Sequence, residues 1–143
     1  MPNRIGYAGG AFDLFHVGHL NILKHARSQC DYLIAGVVSD ELLELTKGRR
    51  PIVPLSERLE IVRHIRFVDE AVEETLLDKL DTWQSVRFDI YFKGDDWKGT
   101  DRGRRLERAF AEVGGGSCLL PLHDEHLEHH PPAGTQCTGI RPT

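Results

Sequence analysis

Apolar residues follow two rhythms along this chain. Residues 31–39 (DYLIAGVVS) form a near-continuous apolar run and residues 4–9 (RIGYAG) a short strand running into a glycine turn, and both look like central strands of a parallel sheet. Between them Leu20, Leu23 and Ala26 recur at helical spacing, and residues 17–30 contain no proline, which predicts a crossover helix. After a basic loop (KGRRPIVP), Ser56 is placed to cap a helix with the apolar stripe Leu59, Ile61, Val62 and Ile65, and Pro54 lies just outside it. Then come a brief strand (VDEAVEE), a helix (LDKLDTWQSV), a buried strand (FDIYFKG), an amphipathic helix closed by glycines over residues 101–115, and a last strand (SCLLPL). Strands alternating with helices predict an α/β domain with a parallel sheet flanked by helices and right-handed crossovers. Ligands of such folds sit beyond the C-terminal strand ends, where the strand order reverses. Three segments are expected there: GGAFDLFHVGH, the loop around Lys47, and GDDW.

A length of 143 residues fits one domain with a full core, and a formal net charge of −4 gives no reason to expect nucleic-acid binding. An anionic ligand must therefore be held by local charge. No apolar run is long enough to span a bilayer and the first ten residues lack a hydrophobic signal segment, so a cytoplasmic location is expected. Cys30, Cys118 and Cys137 are too widely spaced for a zinc site or a disulfide scaffold and read as core or incidental thiols.

The densest chemistry lies in residues 9–19. Gly9 and Gly10 let the backbone turn tightly after the first strand and expose amides to an anion, while His16 and His19 fall near the start of the next helix. Separated by Val17 and Gly18, the two histidines can face the same phosphates, and the glycine keeps the approach open. They are not spaced as the i and i+4 ligands of a helical metal site. Histidine N–H groups aimed at a phosphorus centre and a leaving pyrophosphate supply electrostatic catalysis without a covalent intermediate. The alternative, chance turn residues, does not explain why the pattern follows a strand and opens a helix.

GGAFDLFHVGH resembles the N-terminal signature of the nucleotidyltransferase superfamily with the HxGH motif. FKGDDWKG and SERLEIVRHIRFVDE are similar to its cytidylyltransferase branch, most of all to glycerol-3-phosphate cytidylyltransferases. The resemblance covers residues 4–121 and implies a Rossmann-like domain over residues 1–121 in which a phosphorylated alcohol, glycerol 3-phosphate by the nearest likeness, attacks the α-phosphate of CTP. It implies that His16, His19 and Lys47 are catalytic, with Gly9, Gly10, Ala11, Phe12, Asp13 and Gly18 around the nucleotide phosphates. Asp95, Asp96 and Trp97 would hold ribose and base, and Arg49, Arg58 and Asp69 would serve the acceptor or its phosphate, although Asp69 equally suits a structural cap. Magnesium entering with the nucleotide and a homodimer are also implied; an adenylyltransferase of the same superfamily is the nearest alternative.

Residues 122–143 depart from this pattern. Where relatives carry a segment like R-T-x-G-I-S-T-T, this chain has PLHDEHLEHHPPAGTQCTGI, with four of its eight histidines between His123 and His130. A metal site would need a folded frame that so few apolar residues do not supply, and the sequence is too long after LEHH for a purification-tag scar. A frame slip explains it better. With wobble bases chosen, codons for LHDEHLEHH read one nucleotide later give Y-T-M-S-T-S-S-T and a further threonine. The tail is thus expected to be disordered and to lack a phosphate-binding element, leaving a catalytically impaired nucleotide-binding protein as a third functional reading.

Overall fold

The computed structural model describes residues 4–77, 79–94, 108 and 116–120. The expected GDDW loop, the helix over 101–115 apart from Arg108, and the histidine-rich tail fall outside these residues. In chain order the elements are β1 (Ile5–Gly10), α1 (Val17–Ser28), β2 (Tyr32–Val38), α2 (Asp40–Lys47), α3 (Leu55–Arg63), β3 (Glu70–Glu74), α4 (Lys79–Val86), β4 (Ile90–Gly94) and β5 (Gly116–Leu120). Every strand pairing is parallel, and the order across the sheet is β3-β2-β1-β4-β5. The chain steps outward from β1 to β3 and then returns to place β4 on the other side of β1. The strand order therefore reverses between β1 and β4, and the crevice expected of this topology opens at their C-terminal ends.

The continuous apolar runs reflect burial on both faces. One face packs Ala8, Leu33, Ala35, Val37, Ile90 and Phe92 against Leu23 and Ala26 of α1 and Val62 of α3. The other packs Tyr7, Ile34, Phe88 and Tyr91 against Trp83 and Val86 of α4. Cys30 belongs to the first layer, and burial pushes its thiol up to about 11, as suits an inert core thiol. Among the described residues no helix is long and apolar enough to cross a membrane.

A buried polar cross-tie runs through the second layer. Tyr7 Oη donates to Glu74 Oε1 at 2.8 Å, reaching from β1 across β2 to the end of β3. Gly36 makes this reach possible, because a Cβ there would overlap the Tyr7 phenol. The main-chain carbonyl of the same Glu74 accepts from Ser39 N–H at 2.9 Å, so one residue joins β1, β3 and the start of α2.

Three aspartates staple the opposite, N-terminal edge of the sheet. Asp31, Asp69 and Asp89 each stand immediately before a strand. They accept from the amides of Arg4 (2.7 Å), Leu33 (2.8 Å) and Ile5 (2.8 Å) respectively. Asp69 also pairs with Arg27 at 3.0 Å. This corrects its expected place beside the acceptor: it sits before β3 at the end of the sheet away from the crevice, and its carboxylate fixes strand register.

Two local expectations also change. Ser56 lies inside α3 and gives no cap; Pro54 is the N-cap residue, without a side-chain hydrogen bond. The segment before Lys47 is not a loop but α2, capped by Ser39, whose Oγ accepts from Leu42 N–H at 3.1 Å. The helix ends at Gly48, where a φ of 76° suits glycine.

Candidate active site

β1 ends at the two glycines, and the backbone then passes through two unusual conformations, with φ of 52° at Phe12 and 50° at Leu14. Left-handed backbone costs a non-glycine residue about 1 kcal/mol or more, so the turn must be held from outside. Phe12 is held by burial: its ring packs in the first core layer and against Phe15 and His19. A Cβ at Gly10 would meet that ring at 3.3 Å, and one at Gly9 would meet Tyr91 Oη at 3.1 Å and Glu74 Oε1 at 3.2 Å. Glycine at both positions therefore answers to crowding beneath the turn.

His16 and His19 do more than stand near a helix start; they build it. His16 is the N-cap of α1 in extended conformation, and its Nδ1 accepts from the amide of the buried Gly18 at 2.9 Å. His19 Nδ1 in turn accepts from His16 N–H at 3.1 Å, which completes a reciprocal capping box with imidazoles in the roles usually filled by Ser or Thr and Glu. An amide can only donate, so both Nδ1 atoms are acceptors. With Nδ1 accepting, each ring carries its hydrogen on Nε2. The ring centroids are 4.2 Å apart. Two Nε2–H donors thus stand side by side at a helix N-terminus, an arrangement that suits an oxyanion.

Beside the turn lies a cavity of about 330 Å³ whose wall includes Ala11, Asp13, Leu14, Lys47, Arg49, Arg50 and Ile52. Lys47 closes α2, and Arg49 follows the Gly48 cap. Both are exposed and make no ion pair among the described residues. Arg50, which the motif did not single out, is held by Glu44 at 2.9 Å and Glu41 at 3.6 Å, and the bond to Glu44 raises its already high pKa.

Asp13 and Arg58 hold this region together. Asp13 Oδ2 accepts from Ile52 N–H and Oδ1 from Val53 N–H, each at 2.9 Å. Burial alone would raise its pKa, but those two amides and the Arg58 charge outweigh it and hold the carboxyl below its ordinary 3.8. Expected around the nucleotide, Asp13 is observed tying the strained turn to the loop that carries the cations. Arg58 calls for a correction. Expected on a substrate phosphate, it is 1% exposed, with bonds to Val53 O (2.7 Å), Ala11 O (2.7 Å), Val38 O (2.8 Å) and Asp40 Oδ1 (2.6 Å). With its guanidinium divided among four protein acceptors, it positions the turn, the end of β2 and the start of α2 rather than touching substrate.

The structure thus brings Gly9, Gly10, Ala11, Phe12, Asp13, His16, Gly18, His19, Lys47 and Arg49 to one end of the sheet. Asp69 lies at the other end, and Asp95, Asp96 and Trp97 lie outside the described residues. A parallel α/β sheet whose order reverses beside such a turn defines the doubly wound class of folds, in which ligands sit at that crevice. Within that class, the chain belongs to the Cytidylyltransferase-like family, whose profile matches residues 7–126. It is 39% identical over 102 residues to an ethanolamine-phosphate cytidylyltransferase from Arabidopsis thaliana, a match covering 66% of this chain and 23% of that protein. This chain thus matches less than a quarter of that relative's length. Among solved structures, the lipopolysaccharide core biosynthesis protein from Thermoplasma volcanium GSS1 aligns with a TM-score of 0.72 and 24% identity, covering 86% of this chain and 98% of that one. A protein with unknown function from Archaeoglobus fulgidus aligns with a TM-score of 0.58 and 19% identity, covering 90% and 94%. Both likenesses concern the fold.

Proposed function

We propose that this protein transfers CMP from CTP to a phosphorylated alcohol, with glycerol 3-phosphate the acceptor to which its motifs point. The observation that carries the proposal is the reciprocal histidine capping box at the sheet's order reversal. An acceptor phosphate oxygen attacks the α-phosphorus of CTP, the bond from that phosphorus to the bridging oxygen breaks, and pyrophosphate leaves with the electron pair. The Nε2–H donors of His16 and His19 meet charge that builds on the α-phosphate and the leaving group. The amides of the α1 N-terminus face the same charge, and Lys47 and Arg49 draw the phosphates together. Because the two Nδ1 atoms are engaged by backbone, the donors are oriented before substrate arrives.

Magnesium belongs to this scheme as part of the nucleotide. Among the described residues no group of three or more His, Cys, Asp or Glu is gathered to hold a metal. Asp13, the carboxylate of the cavity wall, already accepts an amide on each oxygen. The ion is therefore proposed to be held by phosphates and water.

Pyrophosphate release measured over CTP or ATP against a set of phosphorylated alcohols tests this reading. CTP-dependent release is expected; release with ATP alone would replace it with adenylyl transfer. A second reading has its own support: residues 122–130 contain no serine or threonine where the resemblance leads one to expect a phosphate-binding run. If the frame slip is real, the chain binds CTP without turnover, a chain with the Ser/Thr segment restored turns over, and the gene holds an open Ser/Thr-rich reading there.

A further inference from the structure

The two histidines of the capping box are not held alike. His16 is exposed, and its Nδ1 is engaged by the amide of the buried Gly18. His19 is half-buried, and its Nδ1 takes an exposed hydrogen bond of 3.1 Å from His16 N–H. Water competes for such a bond, so its net worth is small. Rotation about χ2 of a histidine is broad and two-fold. A half-turn would give up that bond and exchange the places of Nε2 and Cε1. Holding Nε2 on target therefore asks for more than the cap.

Three rings surround the His19 imidazole. His16 lies at 4.2 Å between centroids, Phe15 at 5.3 Å with planes 31° apart, and Phe12 edge-on at 5.8 Å and 63°. Phe12 is 5% exposed and belongs to the core beneath the turn, while Phe15 is half-buried and packs against that same layer. The left-handed residues Phe12 and Leu14 turn the chain sharply, which lets both phenyls reach one imidazole. Granted the transferase reading above, we infer that Phe15 is a positioning residue for the reaction. Its side chain, with Phe12 behind, holds the His19 ring in one plane and keeps water off the Nδ1 bond, so that Nε2 stays aimed at the reacting phosphates. Phe15 acts through His19 and not on the substrate.

Imidazole 15N spectra of the full chain read this without substrate, at about pH 8.5, roughly two units above an ordinary histidine. Native His19 should show Nδ1 as acceptor and Nε2 protonated. In Phe15→Ala those signals should move toward an imidazole exchanging between tautomers, and Phe15→Leu, which restores apolar bulk, should bring them back. In pyrophosphate release from CTP, Phe15→Ala should lower kcat about tenfold while KM changes less than about twofold, because aim matters in the transition state more than in binding. In a His19→Ala background the same change should add nothing. Phe15→Val takes the place of Phe15→Ala should the latter fail to fold. An unmoved His19 signature overturns the inference, as does a loss of turnover that multiplies with that of His19→Ala, the mark of a general effect on the fold. If the native protein releases no pyrophosphate with any phosphorylated alcohol, the transferase reading fails and the spectra alone decide whether Phe15 orients His19: a moved signature upholds it and an unmoved one overturns it.

Discussion

The two edges of the sheet solve the same problem with opposite results. At the N-terminal edge, Asp31, Asp69 and Asp89 accept strand amides, so donors are consumed and register is pinned. At the C-terminal edge, Asp13 and the two histidine Nδ1 atoms also accept amides, but each imidazole has a second ring nitrogen, and Lys47 and Arg49 make no ion pair among the described residues. The difference lies in the capping residue. A carboxylate used as a cap is only an acceptor, whereas an imidazole accepts with one nitrogen and keeps a donor on the other. Capping α1 with histidine makes the same bond that orders the backbone also orient the other ring nitrogen.

The sharpest break of this comparison separates the two jobs of His16. His16→Ala should reduce turnover by about a hundredfold to a thousandfold, the usual cost of removing one donor to developing negative charge. It should also cost about 1 kcal/mol of stability through the lost cap. His16→Asn restores a capping acceptor without the Nε2 donor, so its melting temperature should recover while turnover does not. Full activity in either variant would remove His16 from the mechanism.

Next in size is Arg58→Met. Removing a buried cation that serves three carbonyls and Asp40 should cost about 3–5 kcal/mol in denaturant unfolding. A loss below about 1 kcal/mol would contradict the clamp and return Arg58 to the substrate. At the other edge, Asp69→Asn should cost about 1.5–3 kcal/mol, the range for a hydrogen bond to a charged group. Its KM for the acceptor should stay unchanged, and a raised KM would break the division between a structural and a functional edge.

The smallest effect is one of pH. Because the Asp13 carboxyl is held below 3.8 in the fold, it contributes stability above the unfolded value and loses it as pH falls through the lower folded value. The stability gap between the native chain and Asp13→Asn should therefore be constant from neutral pH down to about 5 and close only below about 4. Thermal melts across that range check it; a gap that closes near neutrality would mean that another group is responsible.

Strand positions and the placement of α1 and α3 were legible because burial on both faces leaves apolar runs, and because helical spacing survives in α1 and α3. α2 was not legible. Its signal is short, Ser39 reads as the end of β2, and the basic residues after it resemble an open loop. Asp69 and Arg58 were misassigned for a related reason. A charged side chain near a motif looks the same in sequence whether it faces a substrate or an amide, and only burial and partners tell them apart. Asp31 and Asp89 carried a usable signal, an aspartate directly before each strand, but it becomes meaningful only when the neighbouring strand is known.

The sequence by itself determined the α/β architecture, the turn and histidine pair, and the Cytidylyltransferase-like family, because these rest on local spacing and on residues contiguous in the chain. Tertiary structure decided which charges are available. Arg58 and Asp69 are spent on acceptors or donors 47 and 36 residues away, and Asp13 on amides 39 and 40 residues away, while Lys47 and Arg49 make no ion pair among the described residues. A hydrogen bond is settled by distance in space, and distance in sequence does not reveal it.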